Sequence, residues 1–140
     1  MKLNLRNIFY LIYDRLHELL LEEPCLHADE TPVQVHNEKG RKNTSKSYMW
    51  IYTSTTLNPN QNIRLFEYAP SRAGTCAETF LNGVQGDLLT DDYSGYHNIK
   101  TAGHCLCWAH ARRKFVDAAP AYAKDTDAWA NSLIQEGIRQ

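Results

Sequence analysis

The chain has 140 residues, 43% of them hydrophobic and 22% charged, with a formal net charge of -1. That length suits one domain with a sizeable core, and the composition excludes a disordered chain. Near-neutrality removes any bulk electrostatic drive toward nucleic acid, so only local basic clusters can bind it: Arg41, Lys42 and Lys46 in one loop, and Arg112, Arg113 and Lys114 in one helical turn. The first apolar run, residues 8–13, is too short to span a membrane and is closed by Asp14 and Arg15. No small-residue cleavage site follows it, so no secretory leader is expected. Cys25, Cys76, Cys105 and Cys107 lack the dense, even spacing of a disulfide framework, and a reducing cytoplasm is the default compartment.

Leu5, Ile8, Phe9, Ile12, Leu16, Leu19 and Leu20 recur at three- and four-residue steps, which predicts an amphipathic helix over 3–22 ended by Pro24. From Leu26 to Val35 the period changes to two. Leu26, Ala28 and Glu30 fall on one face of the predicted strand, and His27, Asp29 and Thr31 on the other. Pro32 inside this run points to an edge, a bulge or a strand end. Residues 37–47 read as a mobile polar hairpin loop, 48–55 as a second strand, 58–60 as a turn and 63–68 as a third strand. A short helix is expected over 77–83, broken by Gly86, then a fourth strand over 87–91 and a loop around Gly95. A fifth strand at 104–108 runs into a helix over 109–118 that Pro120 should stop. A last helix should begin near Thr126 and still be in progress at Gln140, as if the chain were cut. Three strands, a helix, two strands and a helix describe an α/β fold: a mixed five-stranded sheet with flanking helices, preceded by an N-terminal helix. The expected division is a helical segment, 1–24, and a core, 25–140.

The acidic pairs Asp29–Glu30 and Asp91–Asp92 each lie in or just beyond a predicted strand, 62 positions apart. Two carboxylates drawn together repel unless a divalent cation sits between them, and magnesium or manganese suits such oxygen ligands. If strands one and four are neighbours, Asp29 and Asp91 can meet at one sheet edge; the plainer reading is that each caps a turn. Alternation allows at most one residue of each acidic pair to face a shared site, and period alone does not say which. His104, Cys105, Cys107 and His110 invite a zinc reading, but no second Cys/His pair stands at finger spacing. A buried Cys and a helix-start His are the commoner case, and His110 could instead hydrogen-bond a carboxylate. Arg112, Arg113 and Lys114 span too wide an arc to face one groove together, so a solvated face competes with phosphate binding.

Five segments of this sequence resemble the central domain of bacterial DDE transposases of the insertion-sequence 66 family: LHADETPVQV at 26–35, SYMWIYTS at 47–54, FEYAPSRAG at 66–74, LLTDDYSGYHNI at 88–99 and CWAHARRKF at 107–115. The resemblance implies an RNase H-like fold, a Mg2+- or Mn2+-dependent centre and DNA cleavage and strand transfer. It implies DNA, as transposon ends and target, for a partner, a bacterial nucleoid-associated location, and room for a homo-oligomer in the full-length enzyme. By motif, Asp29 and Asp91 take the places of the first two catalytic carboxylates. Asp92 stands where that family commonly has glycine. Cys107 and His110 match a Cys-x-x-His element behind the second aspartate. The third acid of that family, a glutamate in a later helix, is not carried onto Glu136, whose flanking residues do not match. The expectation is therefore a transposase fragment, incomplete at its C-terminus and inactive alone. The competing readings are a non-catalytic DNA-binding or assembly remnant and a small zinc-binding module.

Overall fold

A central strand, β1 (Cys25–Gln34), organises the sheet, and its alternating burial gives the strand a hidden and a half-open side. The structure is a computed structural model that describes residues 5–55 and 62–122. β1 pairs antiparallel with β2 (Lys46–Ser54), which pairs antiparallel with β3 (Arg64–Ala69). On its other flank β1 pairs parallel with β4 (Asp87–Thr90), and β5 (His104–Leu106) completes a mixed five-stranded sheet in the order β3-β2-β1-β4-β5. Helix α1 (Leu5–Leu21) precedes the sheet, and α2 (Gly74–Phe80) lies between β3 and β4. By internal contacts the chain forms two units, residues 1–105 and 106–140; the second holds α3 (Trp108–Tyr122) among its described residues.

The predicted order of elements and the two faces of β1 are those observed. Leu26 and Ala28 are buried and share their face with Trp50, Tyr52, Leu65 and Leu88. Onto this inner face pack Leu20 of α1 and Ala77, Phe80 and the following Leu81 of α2. The rings of Tyr52 and Phe80 stack at 3.8 Å, and Trp50 meets Tyr96 edge-on at 5.8 Å. Each such aromatic removes a large apolar area from water, which is why truncating one is costly. The apolar stripe of α1 is buried only toward its C-terminal end; Leu5, Phe9 and Ile12 stay exposed. Among the described residues, no helix is long and apolar enough to cross a membrane.

Pro32 sits within β1, opposite Tyr48 of β2. It is tolerated because β4 pairs only with Cys25–His27, which leaves one flank of β1 without a ladder partner at Pro32. The hairpin loop after β1 is cross-tied rather than open. The Asn43 side chain accepts the Asn37 amide at 2.9 Å, and Arg41 reaches Glu38 at 3.2 Å and Ser47 at 3.0 Å.

Several boundaries differ from expectation: β4 ends at Thr90, β5 ends at Leu106, and Trp108, expected in that strand, opens α3. Helix α2 begins at Gly74 and ends by Leu81, not at 77–83; the stop is Gly83, with φ of 92°, rather than Gly86. The loop around Gly95 contains a 3-10 turn, Ser94–Tyr96. Helix α3 runs through Pro120 to Tyr122, so Pro120 does not stop it. Proline there forgoes one backbone hydrogen bond, and the described helix continues past it to Tyr122. The expected turn at 58–60, the helix from Thr126 and Glu136 lie outside the described residues.

Candidate functional site

The pairing of β1 with β4 runs Cys25↔Asp87, Leu26↔Leu88, His27↔Leu89. Asp29 lies two residues beyond the last of these pairs on β1, and Asp91 lies just past the end of β4 at Thr90, on the side where Arg72 also reaches Glu30. Asp29 is thus on β1 and Asp91 in the turn that leaves the adjacent parallel strand β4 at its C-terminal end. Such strand ends are where open α/β sheets place ligands, because the chain leaves the ladder there and side chains converge.

Within each acidic pair the two residues have different surroundings. Glu30 points into the inner face with its side chain 1% exposed. It accepts hydrogen bonds from the Tyr96 hydroxyl at 2.5 Å and from Arg72 Nε at 2.6 Å, and Arg72 Nη2 closes a second contact on the same oxygen. Burial, followed by this bond to Glu30, pushes the Tyr96 phenol well above its ordinary pKa. Asp29 faces the other way, is half-buried, and accepts the Glu30 amide at 2.8 Å; it has no cationic partner among the described residues. Asp91 is 23% exposed, while Asp92 is 83% exposed and lies 3.4 Å from His97.

Residues from three of the matched segments, 26–35, 66–74 and 88–99, converge around Asp91. The Tyr93 amide donates to Asp91 Oδ1 at 3.0 Å, and Arg72 Nη2 lies 3.8 Å from Asp91 Oδ2. The Arg72 guanidinium sits 3.9 Å over the Tyr93 ring, whose hydroxyl donates to the Arg72 carbonyl. The close approach of α2 to the turn after β4 requires two glycines. A Cβ on Gly74 would lie 2.8 Å from the Gly95 backbone, and one on Gly95 would lie 2.3 Å from the Tyr93 ring. Arg72, Tyr93 and Tyr96 are the residues sequence reasoning left without a role. Their signal was membership in the PSRAG and DDYSGY segments, but their partners are 21 to 66 positions away.

Among the described residues, no group of three or more His, Cys, Asp or Glu side chains converges to hold a metal. A structural zinc takes four such ligands, and the Cys and His residues provide no such set. His104 bonds to the Ile99 carbonyl at 2.9 Å. Burial, then Cys105 and Asp87, raise the Cys25 thiol above its ordinary pKa, so it resists becoming the thiolate that zinc prefers. A magnesium or manganese ion is different: it commonly takes one or two protein carboxylates and completes its shell with water and substrate phosphate. The half-open positions of Asp29 and Asp91 fit that demand. In the second unit, Arg112, Arg113 and Lys114 are exposed on α3, Cys107 is half-buried, and His110 has its Nδ1 buried with no hydrogen-bond partner among the described residues.

A sequence model of the transposase IS66 family matches residues 4–140. Two proteins of Sinorhizobium fredii are similar as well. The uncharacterized protein y4qI is 28% identical over 120 residues, 76% of this chain and 22% of that protein. The uncharacterized protein y4jD is 31% identical over 118 residues, 76% of this chain and 23% of that protein. The chain thus spans under a quarter of the length of either relative. No solved structure matches it at a significant level.

Proposed function

The chain belongs to the IS66 family of transposases, and from that premise we propose that it carries two of the acidic ligands of an RNase H-like DDE centre, Asp29 and Asp91, within an enzyme that cleaves and joins DNA. The observation that supports this reading is that β1, which carries Asp29, pairs in parallel with β4, which Asp91 directly follows. Magnesium or manganese held there would supply activation of the attacking oxygen and stabilisation of the leaving one in an in-line displacement at phosphorus. The chain's own part is to fix one oxygen ligand on β1 and a second in the turn directly after β4. Glu30 has no share in this, since its carboxylate is committed to Arg72 and Tyr96. With two acids and no third among the described residues, strand transfer by this chain alone is expected to be negligible while weak ion binding persists.

Titration of the metal-free chain with Mn2+, followed by the loss of the free-ion paramagnetic signal, tests the proposal. Binding that is lost in both Asp29→Asn and Asp91→Asn, and kept in Asp92→Asn, is the expected result. Equal binding by wild type and both variants overturns it. Metal-dependent cleavage of donor DNA by the purified chain, abolished by Asp29→Ala, would show instead that no further acid is needed.

The same proposal assigns DNA contact to α3. Arg112, Arg113 and Lys114 would meet backbone phosphates rather than bases, so binding should tolerate sequence and weaken with salt as counterions are released. Neutralising Arg113 and Lys114 together should cut the slope of log affinity against log salt by about 2, measured on a short duplex at low ionic strength. An unchanged slope would make the run a solvated helix face.

A further inference from the structure

Asp91 lies one residue past the end of β4 and two past its last pairing with β1, so its ladder with β1 does not hold it. A ligand-bearing residue at that point needs another restraint, and the loop between β3 and α2 provides one. We propose that Arg72 is a positioning residue for Asp91, acting through a clamp built on Glu30 and Tyr93; the inference rests on the ligand reading of Asp91 given above.

The clamp starts from a fixed point. Glu30 is buried at the inner face of β1 and is held on its other oxygen by Tyr96. A guanidinium is planar, and with Nε and one Nη both committed to one carboxylate oxygen its plane has little freedom left. The face of that plane covers the Tyr93 ring, and the Tyr93 hydroxyl returns a hydrogen bond to the Arg72 main chain. Tyr93 is thereby pinned at both its ring and its hydroxyl, and its amide is the group that fixes Asp91 Oδ1. Arg72 Nη2 stands 3.8 Å from the other oxygen, Oδ2, too far for a strong hydrogen bond but close enough to orient the carboxylate by charge. Both oxygens of Asp91 are thus set by one residue from a loop that never pairs with β4. Lysine cannot reproduce this, because an ammonium has no plane to stack on Tyr93 while forking onto Glu30.

Hydrogen exchange at the Tyr93 amide, read by NMR on the 15N-labelled, metal-free chain, tests the clamp. Two variants are compared with wild type: Arg72→Lys, and the pair Glu30→Gln/Arg72→Gln. The pair leaves no buried charge unpaired and carries the test if the lysine variant does not fold. In both, Tyr93 should exchange at least ~10-fold faster while the core amide of Tyr52 keeps its protection. Mn2+ affinity should fall about tenfold, and the same changes placed on Asp91→Asn should produce no further loss. Unchanged Tyr93 exchange in both variants overturns the inference, as does an equal loss of protection at Tyr52, which would mark Arg72 as a stabilising residue only. Failure of the wild-type chain to bind Mn2+ removes the ligand reading of Asp91 alone; the Tyr93 exchange still decides whether Arg72 positions it.

Discussion

Asp29 and Glu30 are adjacent in sequence and project to opposite faces of β1, where they meet opposite conditions. On the inner face Glu30 is shut from water and satisfied by one cation and one phenol. On the outer face Asp29 is half-buried, has no cationic partner among the described residues, and shares its strand side with Cys25 and His27. A buried carboxylate survives only when paired, and once paired it has no lone pair to spare for a ligand. A half-open carboxylate with no cation beside it retains exactly that capacity in the ordinary sense of coordination. The adjacent acids of one short segment thus divide into a buried, ion-paired member and a half-open one, and strand alternation makes the division.

The largest expected effect lies on the inner face. Arg72→Ala leaves the Glu30 carboxylate buried with only the Tyr96 phenol to answer it. The cost should be about 3 kcal/mol, at the low end for a broken buried pair because that phenol remains. Asp29→Asn keeps the shape and still accepts the Glu30 amide, so its cost should stay under about 1 kcal/mol. Urea denaturation of both variants measures the difference. Equal costs would dissolve the distinction between the faces.

Alkaline pH should strike the same face next. Burial raises Tyr52 and Tyr96 above their ordinary pKa, with Glu67 adding to the shift of the first and Glu30 to that of the second. Above about pH 10 the unfolded chain releases both protons while the folded chain keeps them. The stability these phenols contribute is therefore intact below pH 10 and erodes as pH rises beyond it, by roughly 1.4 kcal/mol per pH unit for each. Tyr13 is raised in the same way by burial and by Glu67, so Tyr96→Phe should remove roughly a third of the combined slope in a series of melts between pH 9 and 11. A slope unaffected by the substitution would place the alkaline sensitivity elsewhere.

Why the sequence disclosed some of this and not the rest follows from the range of each interaction. The alternation of Leu26, Ala28 and Glu30 against His27, Asp29 and Thr31 is local, so the two faces of β1 could be read directly. The order of the elements followed from period and punctuation, which are also local. The choice of Asp29 over Glu30 required knowing that Arg72, 42 positions away, returns to the inner face. Nothing near Arg72 in sequence advertises that return, and the loop containing it reads only as a turn. The early end of α2 was missed because Gly83 and Gly86 are both breakers and only the backbone shows which adopts positive φ. Pro120 misled for a related reason: a proline removes one backbone hydrogen bond, and α3 continues through it to Tyr122.

The smallest expected effect belongs to Asp92, the acid that stands where the resembled family commonly has glycine. Its side chain is 83% exposed and its nearest opposite charge is His97 at 3.4 Å, which is ionised only when protonated. An exposed pair of this kind contributes little, because water screens it and two side chains must be held to make it. Asp92→Asn should change stability by no more than about 0.5 kcal/mol. It should also leave Mn2+ binding where Asp91→Asn removes it, since Asp91 alone of the two is gripped by the Tyr93 amide and faced by Arg72. If Asp92→Asn instead abolished Mn2+ binding and Asp91→Asn spared it, the outer carboxylate would be the ligand. The clamp on Asp91 would then serve only to lock the turn after β4, and the partner of Asp29 would sit one residue further along the chain.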